Sequence, residues 1–354
     1  MIILVQDLRS LDLSEMLQLM EELNEPAFRA KQLFAWVHNK EISSLDEAGN
    51  LGKGLLEKLS QKVLISSLNI VKKQVSQDGT TKFLLALPDG NYIECVLMCY
   101  RGDRSKKRNT LCISTQVGCA MGCGFCATGK SGFTRNLTVG EILGQVYTVN
   151  NFLSQEKDGY KIGNVVYMGM GEPLLNYANV IKSVRLLNSK DGQNISMRRI
   201  TISSCGIAPQ IKKLADQKLD LVLAISLHAP TNELRSKIMP INHKYPLEKL
   251  KKACQYYNEV TKKRITFEYA LIKDFNDQPQ HSKELAQFLK GIHCHVNLIP
   301  INSVPGSSFT RPSKKRIYEF LREIKELGVE VSIREEKGTD IDAACGQLRG
   351  KVVN

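Results

Sequence analysis

The sequence lacks any long apolar run. Its first five residues are apolar, but Gln6 and Asp7 follow at once, too soon for a signal-peptide core or a membrane span. No later stretch approaches the ~18 uncharged residues that a spanning helix needs. A cytoplasmic protein with no membrane partner is therefore expected. There is no long-period repeat and no low-complexity segment, which argues against solenoid and fibrous architectures. Acidic residues are in short supply: Asp plus Glu is 36 against 49 for Lys plus Arg, a formal net charge of +13. This excess makes RNA or DNA a candidate partner, bound through phosphate contacts that give affinity and salt dependence rather than sequence choice. Five cations gather at Arg101, Arg104, Lys106, Lys107 and Arg108. Taken alone, such a run reads as a solvated basic loop.

What is present is ordinary globular composition, 42% hydrophobic and 24% charged over 354 residues, which is room for about two domains at ~100–200 residues each. Residues 1–100 read as a small unit of helices followed by a hairpin. Residues 8–23 have helical apolar spacing with Ser14 as a candidate N-cap. Pro26 opens a second helix carrying Phe28, Leu33, Phe34 and Trp36. Segments 82–87 and 92–98 alternate as strands around the turn Pro88-Asp89-Gly90-Asn91. Residues 101–354 form the second unit. Strand-like segments at 110–115, 164–168, 200–203, 221–227, 265–271 and 296–300 alternate with helical ones, and a last helix at 313–327 precedes a short strand at 329–334. This predicts an α/β fold with a parallel sheet, a partial (β/α)6 TIM-like barrel. The unusual residues follow these strands: the cysteines 119–126, the glycines 169–171, Ser203 and Ser204, Ser226 to His228, and Asn302. Barrel active sites sit at strand C-termini, so one site is expected there.

The ten cysteines are not a disulfide framework in a cytosolic chain. Cys95, Cys99, Cys205, Cys254 and Cys294 read as small buried hydrophobes. Cys119, Cys123 and Cys126 form C-x3-C-x2-C. Three close thiolates suit a four-iron cluster with one iron left open to a ligand. The alternative is structural zinc with Cys112 as fourth ligand, although the second distant Cys pair usual for zinc is missing.

With Phe125 before its last cysteine and the glycine-rich 169–173 after the second strand, the motif resembles the radical S-adenosylmethionine (SAM) superfamily. That likeness implies a [4Fe–4S] cluster on Cys119, Cys123 and Cys126, chelation of SAM by the open iron, and its reductive cleavage to a 5′-deoxyadenosyl radical. Residues 111–119, 135–138, 168–176, 226–228, 298–300 and 340–348 are similar to the bacterial dual-specificity RNA methyltransferases, which act on C2 of an adenine. The likeness spans nearly the whole chain. Before residue 100 it rests on Asn24-Glu25-Pro26, Arg29, Gln32 and Glu94. A sister branch methylates C8; Pro173 and Pro300 favour the C2 branch.

The chemistry is coherent. The SAM methyl and adenine C2 are both electron-poor, so a thiolate must stand between them. The resemblance implies that Cys345 carries the methyl and that Cys112 releases the product through a transient disulfide. It also implies that Glu94 assists removal of the C2 proton. Gly171, Glu172, Ser203, Ser226, Leu227, His228 and Asn302 would position the cofactor, the serine assignment lying between Ser203 and Ser204. Substrates would be large-subunit (23S) rRNA at the peptidyl-transferase centre and tRNA beside the anticodon. Two SAM are consumed per turnover, a flavodoxin- or ferredoxin-type donor supplies the electron, and the protein acts as a monomer. The first unit and the 101–108 run are candidate RNA contacts. A non-catalytic RNA-binding protein with a structural metal site is the rival from another class.

Overall fold

The computed structural model describes residues 5–100, 108–155, 160–302, 304 and 306–350. Arg101, Arg104, Lys106 and Lys107 of the basic run lie outside the described residues. Among the described residues, one sheet has ten strands: β1 (Asn69–Val75), β2 (Thr81–Ala86), β3 (Tyr92–Tyr100), β4 (Arg108–Cys112), β5 (Ile162–Tyr167), β6 (Ile200–Ser204), β7 (Val222–Ser226), β8 (Ile265–Leu271), β9 (Cys294–Pro300) and β10 (Val331–Ile333). Each pairs with its neighbours in sequence. β1 to β4 are antiparallel and β4 to β10 parallel. β1 and β10 remain edges, so the barrel is open, as the count of β–α units led us to expect.

The parallel strands pack one face under helices and turn the other into the barrel, and in β7 Leu223, Ala224 and Ile225 are all buried. Six helices make the crossovers: Val139–Ser154, Tyr177–Asn188, Ala208–Asp216, Leu247–Thr261, Pro279–Leu289 and Lys314–Glu326. The first starts at a capping box, with Thr138 and Glu141 each accepting the other's backbone N–H. Ala208–Asp216 buries Ala208, Ile211, Leu214 and Ala215 and turns its lysines outward.

Two expectations need correction. The sheet does not break near residue 100: the hairpin β2–β3 continues into β4, with Val96 opposite Cys112 and Leu97 opposite Leu111. The hairpin therefore extends the barrel sheet rather than completing a separate first unit. Ser14 does not cap the helix Leu13–Glu22. Asp12 does, accepting from the Glu15 N–H at 3.0 Å while Glu15 accepts from Asp12 at 2.7 Å.

The first helices are sealed onto Val139–Ser154 by buried polar contacts. His38 Nε2 meets the Leu11 carbonyl at 2.9 Å and so carries the proton, leaving Nδ1 to accept from the Tyr147 hydroxyl at 2.8 Å. Burial lowers the His38 pKa to about 4 and keeps the ring neutral.

Candidate active site

The C-terminal ends of β4 to β10 surround one cavity of about 220 Å³. Two loops at its wall are built as a unit. The 169–171 turn lies on the backbone of 113–116: Gly169 donates to the Ile113 carbonyl at 3.0 Å, and Thr115 donates to the Met170 carbonyl at 2.8 Å. A Cβ on Gly169 would sit 2.7 Å from the Ile113 carbonyl. Gly171 has φ +99° and would place a Cβ 2.5 Å from Gln116 Cβ. These glycines are required by close backbone approach. Glu172 follows, buried, its carboxylate accepting from the Cys205 N–H at 2.7 Å and the Leu174 N–H at 2.9 Å. Burial raises its pKa. Its carboxylate therefore ties the β5 loop to the β6 loop.

Cys119, Cys123 and Cys126 all line the cavity. Burial pushes the Cys119 thiol up to about 11 and the Cys123 thiol higher still. A bound cation is what would draw protons from such buried sulfurs. Among the described residues no three Cys, His, Asp or Glu side chains converge as ligands of a single metal ion. Three thiols from one loop lining one cavity leave one iron of a four-iron cluster open to a ligand. The donor set thus fits an iron–sulfur cluster.

Cys345 and Cys112 line the same cavity from opposite sides of the sequence. Cys345 is exposed and Cys112 buried. The segment carrying Cys345 is hydrogen-bonded to the helix Ala127–Lys130 that follows the cysteine motif. Ala127 N–H donates to the Gly346 carbonyl at 2.7 Å, and the Thr128 hydroxyl to the Leu348 carbonyl at 2.6 Å. Burial pushes the Cys112 thiol up to about 12, against the pull of Arg334. Arg334, just past β10, is held strongly protonated, chiefly by Cys345 and further by Glu268 and Cys112. It lies 3.5 Å from Glu268, whose other oxygen accepts from Asn297 at 3.1 Å.

Of the other expected residues, Gly171, Glu172, Ser203, Ser226, His228 and Asn302 line the cavity. Ser204 lines it too, but its hydroxyl accepts from the Gly206 N–H at 3.1 Å, whereas Ser203 is half-buried. His228 has φ 58° and its Nδ1 accepts from the Ala270 N–H at 2.9 Å, so the neutral ring carries its proton on Nε2. Burial, then the charge of Arg235, lowers its pKa to about 3. Phe125 meets it edge-on at 4.8 Å. Leu227 is buried behind the wall, and Glu94 lies outside the lining. Glu94 pairs with Lys82 at 3.3 Å and accepts from the Arg349 and Gly350 backbone. Glu268 and Arg334 escaped the sequence reading. The signal for Glu268 was a charge inside the apolar run of β8.

Comparison with known proteins gives the family of the chain. Residues 113–288 match the model of the radical SAM superfamily, and residues 6–65 match the "Ribosomal RNA large subunit methyltransferase N-terminal domain". Relatives from Desulfitobacterium hafniense (strain DSM 10664 / DCB-2) and Clostridium novyi (strain NT) are each 48% identical. They align over 97% and 98% of this chain and 96% and 98% of their own lengths. Both are named "Probable dual-specificity RNA methyltransferase RlmN". The crystal structure of a radical SAM methyltransferase from Sphaerobacter thermophilus superposes with a TM-score of 0.92 at 41% identity. It covers 98% of this chain and 100% of that one.

Proposed function

The chain belongs to the RlmN family of dual-specificity RNA methyltransferases within the radical SAM superfamily, and from that membership we propose that it methylates C2 of adenosine in 23S rRNA and in tRNA beside the anticodon. The rRNA target would be at the peptidyl-transferase centre. The observation that carries the mechanism is that an exposed thiol, Cys345, and a buried one, Cys112, share a cavity with Cys119, Cys123 and Cys126.

Cys119, Cys123 and Cys126 would hold the [4Fe–4S] cluster. With SAM bound, the cluster supplies a 5′-deoxyadenosyl radical that abstracts hydrogen atoms. The side chains do the rest. Cys345 acts first, because it is the exposed thiol of the two. The thiolate takes the methyl of one SAM, forming an S–C bond as S-adenosylhomocysteine leaves. Loss of a hydrogen atom from that S-methyl, at the expense of a second SAM, leaves a carbon radical that adds to C2 and tethers the base to Cys345. The adduct radical would give one electron back to the oxidised cluster, and Cys112, as the thiolate, takes the C2 proton. Once that proton is lost again, its sulfur attacks the Cys345 sulfur, the S–CH2 bond breaks, the freed carbon takes up a proton to become the methyl, and a Cys112–Cys345 disulfide remains. The target base leaves its stack to reach the cavity. A flavodoxin- or ferredoxin-type protein supplies the electron, and the protein works as a cytoplasmic monomer. Among the described residues no helix is long and apolar enough to cross a membrane.

Mass spectrometry of rRNA and tRNA from cells with and without the gene tests this. Loss of 2-methyladenosine from both is expected. Loss of the 8-methyl isomer instead would assign the chain to the C8 branch, and unchanged RNA would overturn the proposal.

A further inference from the structure

Arg235 is fully buried on the short helix Asn232–Ile238. Its Nη2 donates to the Cys205 carbonyl at 2.6 Å and the Ser226 carbonyl at 3.2 Å. Its Nε donates to the Leu227 carbonyl at 3.2 Å, and its Nη1 to the Asn242 side-chain carbonyl at 3.1 Å. Every one of these acceptors is neutral. Among the described residues no carboxylate lies within ion-pair distance of it. A guanidinium stays charged in a protein, and burying a charge without a counter-ion is costly. Neutral carbonyls alone explain a hydrogen-bonding side chain there, but they do not explain a permanent cation.

The residue whose carbonyl this cation holds most closely, Cys205, itself lies against the cysteine motif: its Sγ donates to Met121 Sδ, between Cys119 and Cys123, at 3.2 Å. The helix of Arg235 also supports the cysteine motif directly, because Gly124, between Cys123 and Cys126, donates to the Ile238 carbonyl at 3.0 Å.

We propose that Arg235 is the buried counter-charge of the iron–sulfur cluster and raises its reduction potential. The proposal rests on the cluster assignment above. One-electron reduction by an external donor makes the site more negative by one unit. Since the guanidinium does not titrate, no proton accompanies the electron. A fixed cation beside the site therefore favours the reduced form, net charge being one of the levers that set cluster potentials. The same guanidinium also holds the carbonyls that end β6 and β7, so a structural role must be separated from an electrostatic one.

Three variants of the reconstituted full-length protein separate them: Arg235→Lys keeps the charge but loses most of the ties, Arg235→Gln loses both, and Asn242→Asp sets a carboxylate against Nη1 while the three backbone ties remain. Iron and sulfide content are measured first, then the midpoint potential by dithionite titration followed by electron paramagnetic resonance. At the wild-type midpoint the ratio of reduced to oxidised cluster is expected to fall about tenfold in Arg235→Gln, which is about 59 mV for one electron. Asn242→Asp should shift the same way, and Arg235→Lys should stay near wild type. Unchanged potentials in Arg235→Gln and Asn242→Asp, with full iron content, would reduce Arg235 to a structural tie and overturn the proposal. If Arg235→Gln does not fold, Asn242→Asp alone decides. A wild-type protein that takes up no cluster would instead overturn the cluster assignment, and this inference with it.

Discussion

The Glu94 carboxylate accepts the backbone N–H of Arg349 at 2.5 Å, a short step past Cys345. Gly350 donates to the same oxygen at 3.0 Å, and Lys82 pairs with the other at 3.3 Å. This geometry makes Glu94 a clamp on the segment that brings Cys345 to the cavity.

Glu94→Gln should therefore loosen that segment. We expect faster hydrogen exchange across residues 339–350 and reduced methylation of Cys345 itself. Removing one member of a buried ion pair costs about 3–5 kcal/mol, so the urea midpoint should also fall. Were Glu94 the proton-removing base instead, methylated Cys345 would form normally and a protein–RNA adduct would accumulate.

Cys345→Ala and Cys112→Ala should fail differently. The first loses protein methylation and forms no link to RNA. The second accepts the methyl, attacks the base and stalls, giving nuclease-sensitive, slow-migrating material on denaturing gels. RNA methylation by the Cys345→Ala protein would sink the two-step mechanism.

Replacing Cys119, Cys123 or Cys126 by Ala should abolish both iron binding and formation of 5′-deoxyadenosine. Cys112→Ala should retain its iron, because Cys112 serves the adduct and not the metal. Loss of metal from the Cys112 variant would favour the four-cysteine zinc alternative.

Acid should destabilise the protein through its buried histidines. His228 titrates near 3 when folded against 6.5 unperturbed, chiefly because burial disfavours its charge. Between those values the unfolded chain binds the extra proton, so this stability is complete above about pH 6.5 and is lost as pH falls toward about 3. His38 acts in the same direction down to about 4. Asn tolerates the left-handed backbone at 228, and its carbonyl can accept the Ala270 N–H. The urea midpoint of His228→Asn should drop less than that of wild type between pH 7 and pH 4.5.

RNA affinity should fall steeply with salt, by a log–log slope of about 0.7–0.9 per phosphate contact neutralised. Neutralising Lys106, Lys107 and Arg108 together should flatten the slope in a filter-binding titration. If neither slope nor affinity changes, the run is only a solvated loop.

By itself the sequence determined what is local. The ligand spacing of Cys119, Cys123 and Cys126 sits within one loop. The two-residue and helical periodicities that set β5 to β9 and their crossovers sit within single segments. The glycines at 169 and 171 announced a tight backbone. The turn at 88–91 announced the hairpin too, but which sheet that hairpin joins depended on β3 pairing with β4, a contact across the boundary assumed at residue 100. Only the tertiary structure decided which charges face which sulfurs. Arg334 shares a cavity with Cys345 and Cys112 because β10 and β4 end on it, and the helix of Arg235 is bonded to the cysteine loop, Gly124 to Ile238, because that helix, after β7, packs on the loop after β4. Periodicity encodes which face of an element is buried. It carries no record of the partner on the other side, because electrostatic pairing depends on distance in space, and that is settled only when the strand ends converge.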